Sequence, residues 1–202
     1  MKVGIYPGAF DPVHAGHVAF AKAAQAKHGL DKVYFLPEPS PRYKQGVKAL
    51  EHRLAMVQLA IRNEPGLGAI QLDQARFTVH ETWPLIIARF DGADVYMLLG
   101  SDVASRLASW PNIGEFVRSV PEFIIALRGQ TVQNAKDMLQ TLVETKNIPL
   151  RYSLVASDNA TYNSTDVRLA LKHNLPPKGI NPDVLSYIAT NRLYSSGDTG
   201  EK

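Results

Sequence analysis

Six short apolar runs alternating with helical patterns constrain this chain more than any other feature. Residues 2–6, 32–36, 69–72, 95–99, 122–127 and 150–155 are rich in Val, Ile, Leu and aromatic side chains, and Gly, Pro or Asp bounds most of them. Runs of that length and composition read as strands. Between them lie helical patterns. Residues 18–28 are Ala-rich, and Leu50, Leu54, Val57 and Ile61 fall on one helical face. Pro84 fits the first turn of a third helix over 85–90, Asn112 with Glu115 three residues on has the form of a capping box, and a fifth helix spans 132–146. Strand and helix alternate throughout, which predicts an α/β fold with right-handed crossovers and a doubly wound, mostly parallel sheet covered by helices on both faces.

In such a sheet, ligands bind outside the carboxyl ends of the strands, near the point where strand order reverses. The loops after the strands are therefore where chemistry is expected. Residues 1–193 read as one domain, in which 163–193 form a small C-terminal helical extension of two helices joined by Leu175-Pro176-Pro177-Lys178-Gly179. The polar, Gly-containing stretch 194–202 reads as a disordered tail.

Composition narrows the function classes. There is no cysteine, which removes thiol nucleophiles and thiolate metal sites and suits a reducing compartment. No apolar run approaches the roughly 18 residues that a membrane span needs, and the first ten residues lack the apolar stretch of a signal peptide, so a soluble, cytoplasmic protein is expected, with no membrane partner. Lys and Arg number 22 against 19 Asp and Glu and are evenly spread, so no basic tract marks a nucleic-acid partner. The mild positive excess suits an anionic small substrate.

Directly after the first strand comes Gly8-Ala9-Phe10-Asp11-Pro12-Val13-His14-Ala15-Gly16-His17, and a helix follows. A Gly-containing loop at a helix N-terminus offers backbone N–H groups and the positive end of the helix dipole, which together attract an anion. His14 and His17 are three residues apart and can both donate to one phosphate chain, while Gly16 lets the backbone come close to it. A lone His is more often structural; two on one strand-loop-helix junction point to function.

These residues resemble the HxGH signature of the nucleotidyltransferase α/β-phosphodiesterase superfamily, in its GxFDPxHxGH form. Near the other end, Asn163-Ser164-Thr165-Asp166-Val167-Arg168 resembles the superfamily's SSTxxR-type motif, whose hydroxyls and Arg hold ATP phosphates. The separation of the two motifs resembles the nicotinate-nucleotide adenylyltransferase family, and the likeness runs over nearly the whole chain. Within that family Gly100-Ser101-Asp102, followed by Trp110, is similar to a segment in which the Asp contacts a ribose and the indole stacks on a pyridine ring. Phe77-Thr78 is similar to a Tyr-Thr pair beside the pyridine carboxylate, and Arg128 to an Arg near the mononucleotide phosphate. Without the resemblance, Trp110 reads as a core or surface aromatic and Arg128 as solvated.

The resemblance implies a Rossmann-like fold and transfer of AMP from ATP to nicotinate mononucleotide, giving deamido-NAD. It implies His14, His17, Lys44 and Arg168 as catalytic, and Gly8, Ala9, Phe10, Gly16, Gly100, Asp102, Ser164 and Thr165 as the ATP site. Thr78, Trp110 and Arg128 would hold the mononucleotide, and Mg2+ would arrive with the ATP, no all-protein metal site being visible. Three departures stand out: Pro41-Arg42-Tyr43-Lys44 keeps the Lys of the family's Pro-x-His-Lys but not its His, Asn163 replaces the first Ser of the C-terminal motif, and Ala9 stands where Thr or Ser is common. A nicotinamide-nucleotide or other small-phosphate adenylyltransferase, or a catalytically silent nucleotide-binding regulator, fits the same loop, and a homo-oligomer is left open.

Overall fold

The computed structural model describes residues 1–42, 44–127, 131–157 and 159–195. Among them, six parallel strands form one sheet: β1 (Lys2–Gly8), β2 (Lys32–Pro37), β3 (Leu67–Ala69), β4 (Asp94–Gly100), β5 (Phe123–Ala126) and β6 (Tyr152–Val155). Their order is β3-β2-β1-β4-β5-β6. The chain leaves β1 on one side for β2 and β3, then crosses to its other side for β4, so order reverses between β1 and β4. This is the doubly wound, Rossmann-like architecture expected.

The helices are α1 (Ala15–His28), α2 (Leu50–Ile61), α3 (Thr82–Arg89), α4 (Ser101–Ala104), α5 (Ile113–Ser119), α6 (Val132–Lys146), α7 (Ser164–Lys172) and α8 (Pro182–Thr190). Alternate residues along a strand face opposite sides of a sheet. In β4 and β5, Val95, Met97, Leu99, Phe123 and Ile125 accordingly join one apolar cluster with Trp83 and Ile86 of α3, Phe116 of α5 and Leu139 of α6. Leu98 and Ile124 point the other way, into a second cluster with Phe20 of α1, Met56 and Val57 of α2 and Ile188 of α8. Burial on both faces is why these strands are continuously apolar.

Several boundaries differ from the sequence reading, each for a local reason. Helix α1 begins at Ala15 instead of residue 18, because His14 is extended (φ −140, ψ 171) and caps it. Strand β3 ends at Ala69, where residues 69–72 were expected, although the Ile70 N–H still bonds to the Phe35 carbonyl and prolongs the ladder by one bond. The capping box at Asn112 does not form: that residue is left-handed (φ 57) and its side chain makes no capping hydrogen bond, though α5 follows it. Helix α4 and the 3-10 turn Leu107–Ser109 are too short for a periodic signal and were not expected. The expected tail also begins too early, since Tyr194 is buried and bonded to Asp11; residues 196–202 lie outside the described residues.

Candidate active site

Strands β1 and β4 end at Gly8 and Gly100, so the crevice at the reversal of strand order lies between the β1–α1 loop and the start of α4. A cleft of about 620 Å³ opens there, lined by Gly8, Ala9, Phe10, His14, His17, Gly100 and Asp102, by Lys44, and by Asn163, Ser164 and Thr165 at the start of α7. The two motifs at opposite ends of the sequence thus form facing walls.

Backbone and side chains hold the β1–α1 loop from several directions. Phe10 takes a positive φ of 49, and its ring packs edge-on against Tyr6 and His17, at centroid distances of 5.3 and 5.1 Å. Asp11, followed by a cis bond to Pro12, is almost fully buried. Its carboxylate accepts the Tyr194 hydroxyl at 2.6 Å and the Lys48 N–H at 3.2 Å, and its carbonyl accepts Arg168 Nη1 at 2.6 Å. Burial and the neighbouring Asp11 charge push the Tyr194 phenol well above its ordinary value, so it is a permanent donor.

Arg53, on α2, is fully buried and presents three donors to three carbonyls: Nε to Lys48 at 2.6 Å, Nη1 to Ala9 at 2.8 Å and Nη2 to Pro39 at 3.1 Å. One guanidinium thereby ties the loop after β1 to the loop after β2. Burial pulls its pKa down, and Asp11, Tyr194, Glu38 and Glu51 oppose that pull; an arginine still stays charged.

His14 and His17 are each 7% exposed, with ring centroids 3.7 Å apart. His17 Nδ1 accepts the His14 N–H at 3.2 Å. An accepting Nδ1 carries no proton, so the neutral ring bears its hydrogen on Nε2, where it is a donor. Gly16 is also closely approached by the protein itself. A Cβ there would stand 2.6 Å from the Asn159 carbonyl and 3.0 Å from the His14 ring, so the residue lets the 159–162 loop close over α1.

At the other wall, the Asn163 side chain accepts the Asp166 N–H at 2.8 Å and caps α7, so the replacement for the family's Ser keeps the capping function. Ser164 Oγ donates to the Pro12 carbonyl at 3.0 Å, which joins the two motifs directly. Arg168 does not line the cleft. Its Nη1 holds the Asp11 carbonyl, and its Nη2 lies 3.4 Å from Thr165 Oγ1.

A second cavity of about 370 Å³ shares Gly8, Ala9, Lys44 and Asp102 with the first and extends to Glu38, Arg42, Phe77, Arg106 and Trp110. Trp110 stacks near-parallel on Phe116 (6.1 Å, 19°) and leans against Phe77. Thr78 is engaged at the start of α3: its N–H donates to Thr82 Oγ1 at 3.0 Å, and its hydroxyl accepts the Glu81 N–H at 3.2 Å. The Phe77 N–H donates to Glu38 Oε1 at 2.6 Å. Arg128 lies outside the described residues.

Sequence reasoning missed Arg53, Glu38 and Tyr194. Each is a polar residue whose burial comes from contacts far along the chain, and none sits in a local motif. Asp11 stood inside the signature but was given no role.

A cytidylyltransferase-like family pattern matches residues 5–170. The chain is 31% identical to a probable nicotinate-nucleotide adenylyltransferase of Symbiobacterium thermophilum, over 98% of this chain and 97% of that protein. It is 28% identical to one of Solibacter usitatus, over 96% of this chain and all of that protein. Among solved structures, a Plasmodium falciparum nicotinic acid mononucleotide adenylyltransferase complexed with NaAD superposes with a TM-score of 0.77 at 20% identity, covering 96% of this chain and 97% of that one. At that identity the likeness speaks for the fold.

Proposed function

The chain belongs to the cytidylyltransferase-like family, in its nicotinate-nucleotide adenylyltransferase branch, and from that premise we propose that it transfers AMP from ATP to nicotinate mononucleotide in NAD biosynthesis. The observation that carries this reading is the joined cleft: a nucleotide-sized trough between two helix N-termini with two His, opening into a cavity bordered by Trp110 and Phe77.

The acceptor's phosphate oxygen attacks the α-phosphorus of ATP in line. A bond forms between that oxygen and the α-phosphorus, the bond to the bridging α–β oxygen breaks, and pyrophosphate leaves with the electron pair. The attacking phosphate is already an anion at neutral pH, so positioning and charge stabilisation do the catalysis and no general base is needed. His17 Nε2–H and the His14 ring meet charge growing on the α- and β-phosphate oxygens. Lys44 and the start of α7, with Ser164 and Thr165, take the outer phosphates. Asp102 meets a ribose, and Trp110 meets the pyridine ring.

Magnesium enters as part of the ATP substrate, held by phosphate oxygens and water. Asp102 is the carboxylate that lines the trough, and a hydrated magnesium ion needs no more protein than one or two such groups. Among the described residues no helix is long and apolar enough to cross a membrane.

Pyrophosphate release from ATP and magnesium, measured over a panel of phosphate acceptors, tests the reading. Release with nicotinate mononucleotide, at higher kcat/KM than with the nicotinamide form or with phosphopantetheine, is expected. Silence with both pyridine mononucleotides refutes it.

A further inference from the structure

Glu38 is a half-buried acid that the mechanism above leaves unused. It follows β2, and its N–H donates to the Gly8 carbonyl at 3.0 Å, which fixes it beside the β1–α1 loop. Its side chain borders the same cavity as Phe77 and Trp110. The N–H of Phe77, which lines this cavity, already donates to Glu38 Oε1 at 2.6 Å. The Thr78 N–H is turned to Thr82. A carboxyl group therefore stands in the cavity on that donor, among the cationic side chains of Arg42, Lys44 and Arg106.

We propose that Glu38 reads the substituent on the acceptor's pyridine ring, admitting a carboxylate only together with a proton and a carboxamide without one. The inference rests on the reading that the ring lies against Trp110. Two carboxylates sharing a partly closed site cannot both stay ionised cheaply, so one of them takes up a proton and the pair becomes a hydrogen bond. A carboxamide instead offers N–H donors to an ionised Glu38 directly.

The surroundings favour the protonated form of Glu38. Burial raises its pKa above the ordinary carboxyl value, and this outweighs the Phe77 N–H and the charges of Arg42, Arg76 and Arg53. Lys44 and Arg106 add positive charge around the cavity and Asp102 adds negative charge. Glu38 thus holds its proton to higher pH than an ordinary carboxyl group and loses it as pH rises further.

Three measurements test the proposal. In the wild-type enzyme, KM for nicotinate mononucleotide should climb as pH is raised, approaching tenfold per unit once Glu38 is ionised, while KM for the nicotinamide form stays flatter. Calorimetry in buffers of different ionisation enthalpy should register proton uptake on binding the nicotinate form. In Glu38→Gln, the amide oxygen can still accept the Phe77 N–H and the NH2 can donate to the ring carboxylate. Its preference for the nicotinate form in kcat/KM should rise by about tenfold or more over wild type and lose its pH dependence. Should that variant fail to fold, the two wild-type measurements decide. Parallel pH profiles without proton uptake, or an unmoved preference in a folded Glu38→Gln, overturn the role of Glu38 and leave the acceptor reading standing. Turnover of neither mononucleotide by the wild type overturns both.

Discussion

Replacing Arg53 by Met should be the most damaging single change near the cleft that touches no substrate. Met keeps much of the buried volume and removes every donor. Three carbonyls, of Lys48, Ala9 and Pro39, then lose partners at 2.6, 2.8 and 3.1 Å. An abandoned buried carbonyl costs about 1 to 3 kcal/mol. Water from the adjoining cleft can reach the Ala9 side of the gap, so the three penalties do not add in full. Asp11 and Glu38 also lose a nearby compensating charge. Breaking a buried charged cluster of this kind typically costs about 3 to 5 kcal/mol. In a domain of this size each kcal/mol moves Tm by roughly 2 to 4 °C, so a fall of about 10 °C is expected. Arg53→Lys should lie between the two, because an ammonium keeps the charge but cannot fork to three acceptors. Thermal unfolding followed by circular dichroism measures the first effect, and kcat at a temperature where each variant is fully folded measures the second. Because Ala9 and Pro39 carry the loops on either side of the cleft, kcat should fall as well. An Arg53→Met protein melting within about 2 °C of wild type would refute the reasoning.

Three other changes probe the remaining parts of the site. His17→Ala removes a donor aimed at transition-state charge and should lower kcat by about two to three decades, and because the His14 N–H loses its acceptor kcat is measured well below the variant's lowered Tm; a variant within tenfold of wild type would sink the catalytic role. Arg168→Ala should raise KM for ATP more than KM for the mononucleotide, since Arg168 holds the Asp11 carbonyl beside the phosphate trough; equal effects on both would mark it as a structural clamp alone. Tyr194→Phe removes the hydroxyl that donates to Asp11 and should cost about 1.5 to 3 kcal/mol in urea unfolding near neutral pH. The folded-state pKa of Tyr194 is raised, so its contribution is complete below the ordinary tyrosine value of about 10 and is lost as pH rises above it. The difference between wild type and Tyr194→Phe should therefore shrink in strongly alkaline solution, and a gap independent of pH would contradict the assignment.

What could be read from sequence divides along the range of the forces involved. Residues 95–99 were legible as a strand because burial on both faces demands an unbroken apolar run, and β4 extends that run by one residue at each end. Strand β3 was displaced because a three-residue edge strand needs few apolar positions, and the apolar residues just after it satisfy the same pattern. The signature loop was legible because its donors, its helix start and its turn all lie within ten residues. Its geometry was not, because that is set from elsewhere. Asp11 is bonded to Tyr194, 183 positions away, and Pro12 to Ser164, 152 positions away. Arg53 reaches back 44 positions to Ala9 from a helix whose other charged residue, Glu51, is exposed, so nothing local marks it as buried. The motif thus tells which groups meet the phosphates, while residues that resemble ordinary surface polar positions decide where those groups stand. Glu38 follows the same rule at the acceptor end. Its chemistry is that of any loop glutamate until the fold lays it on the Phe77 N–H, 39 positions on, and only that contact turns it into a group that can tell a carboxylate from an amide.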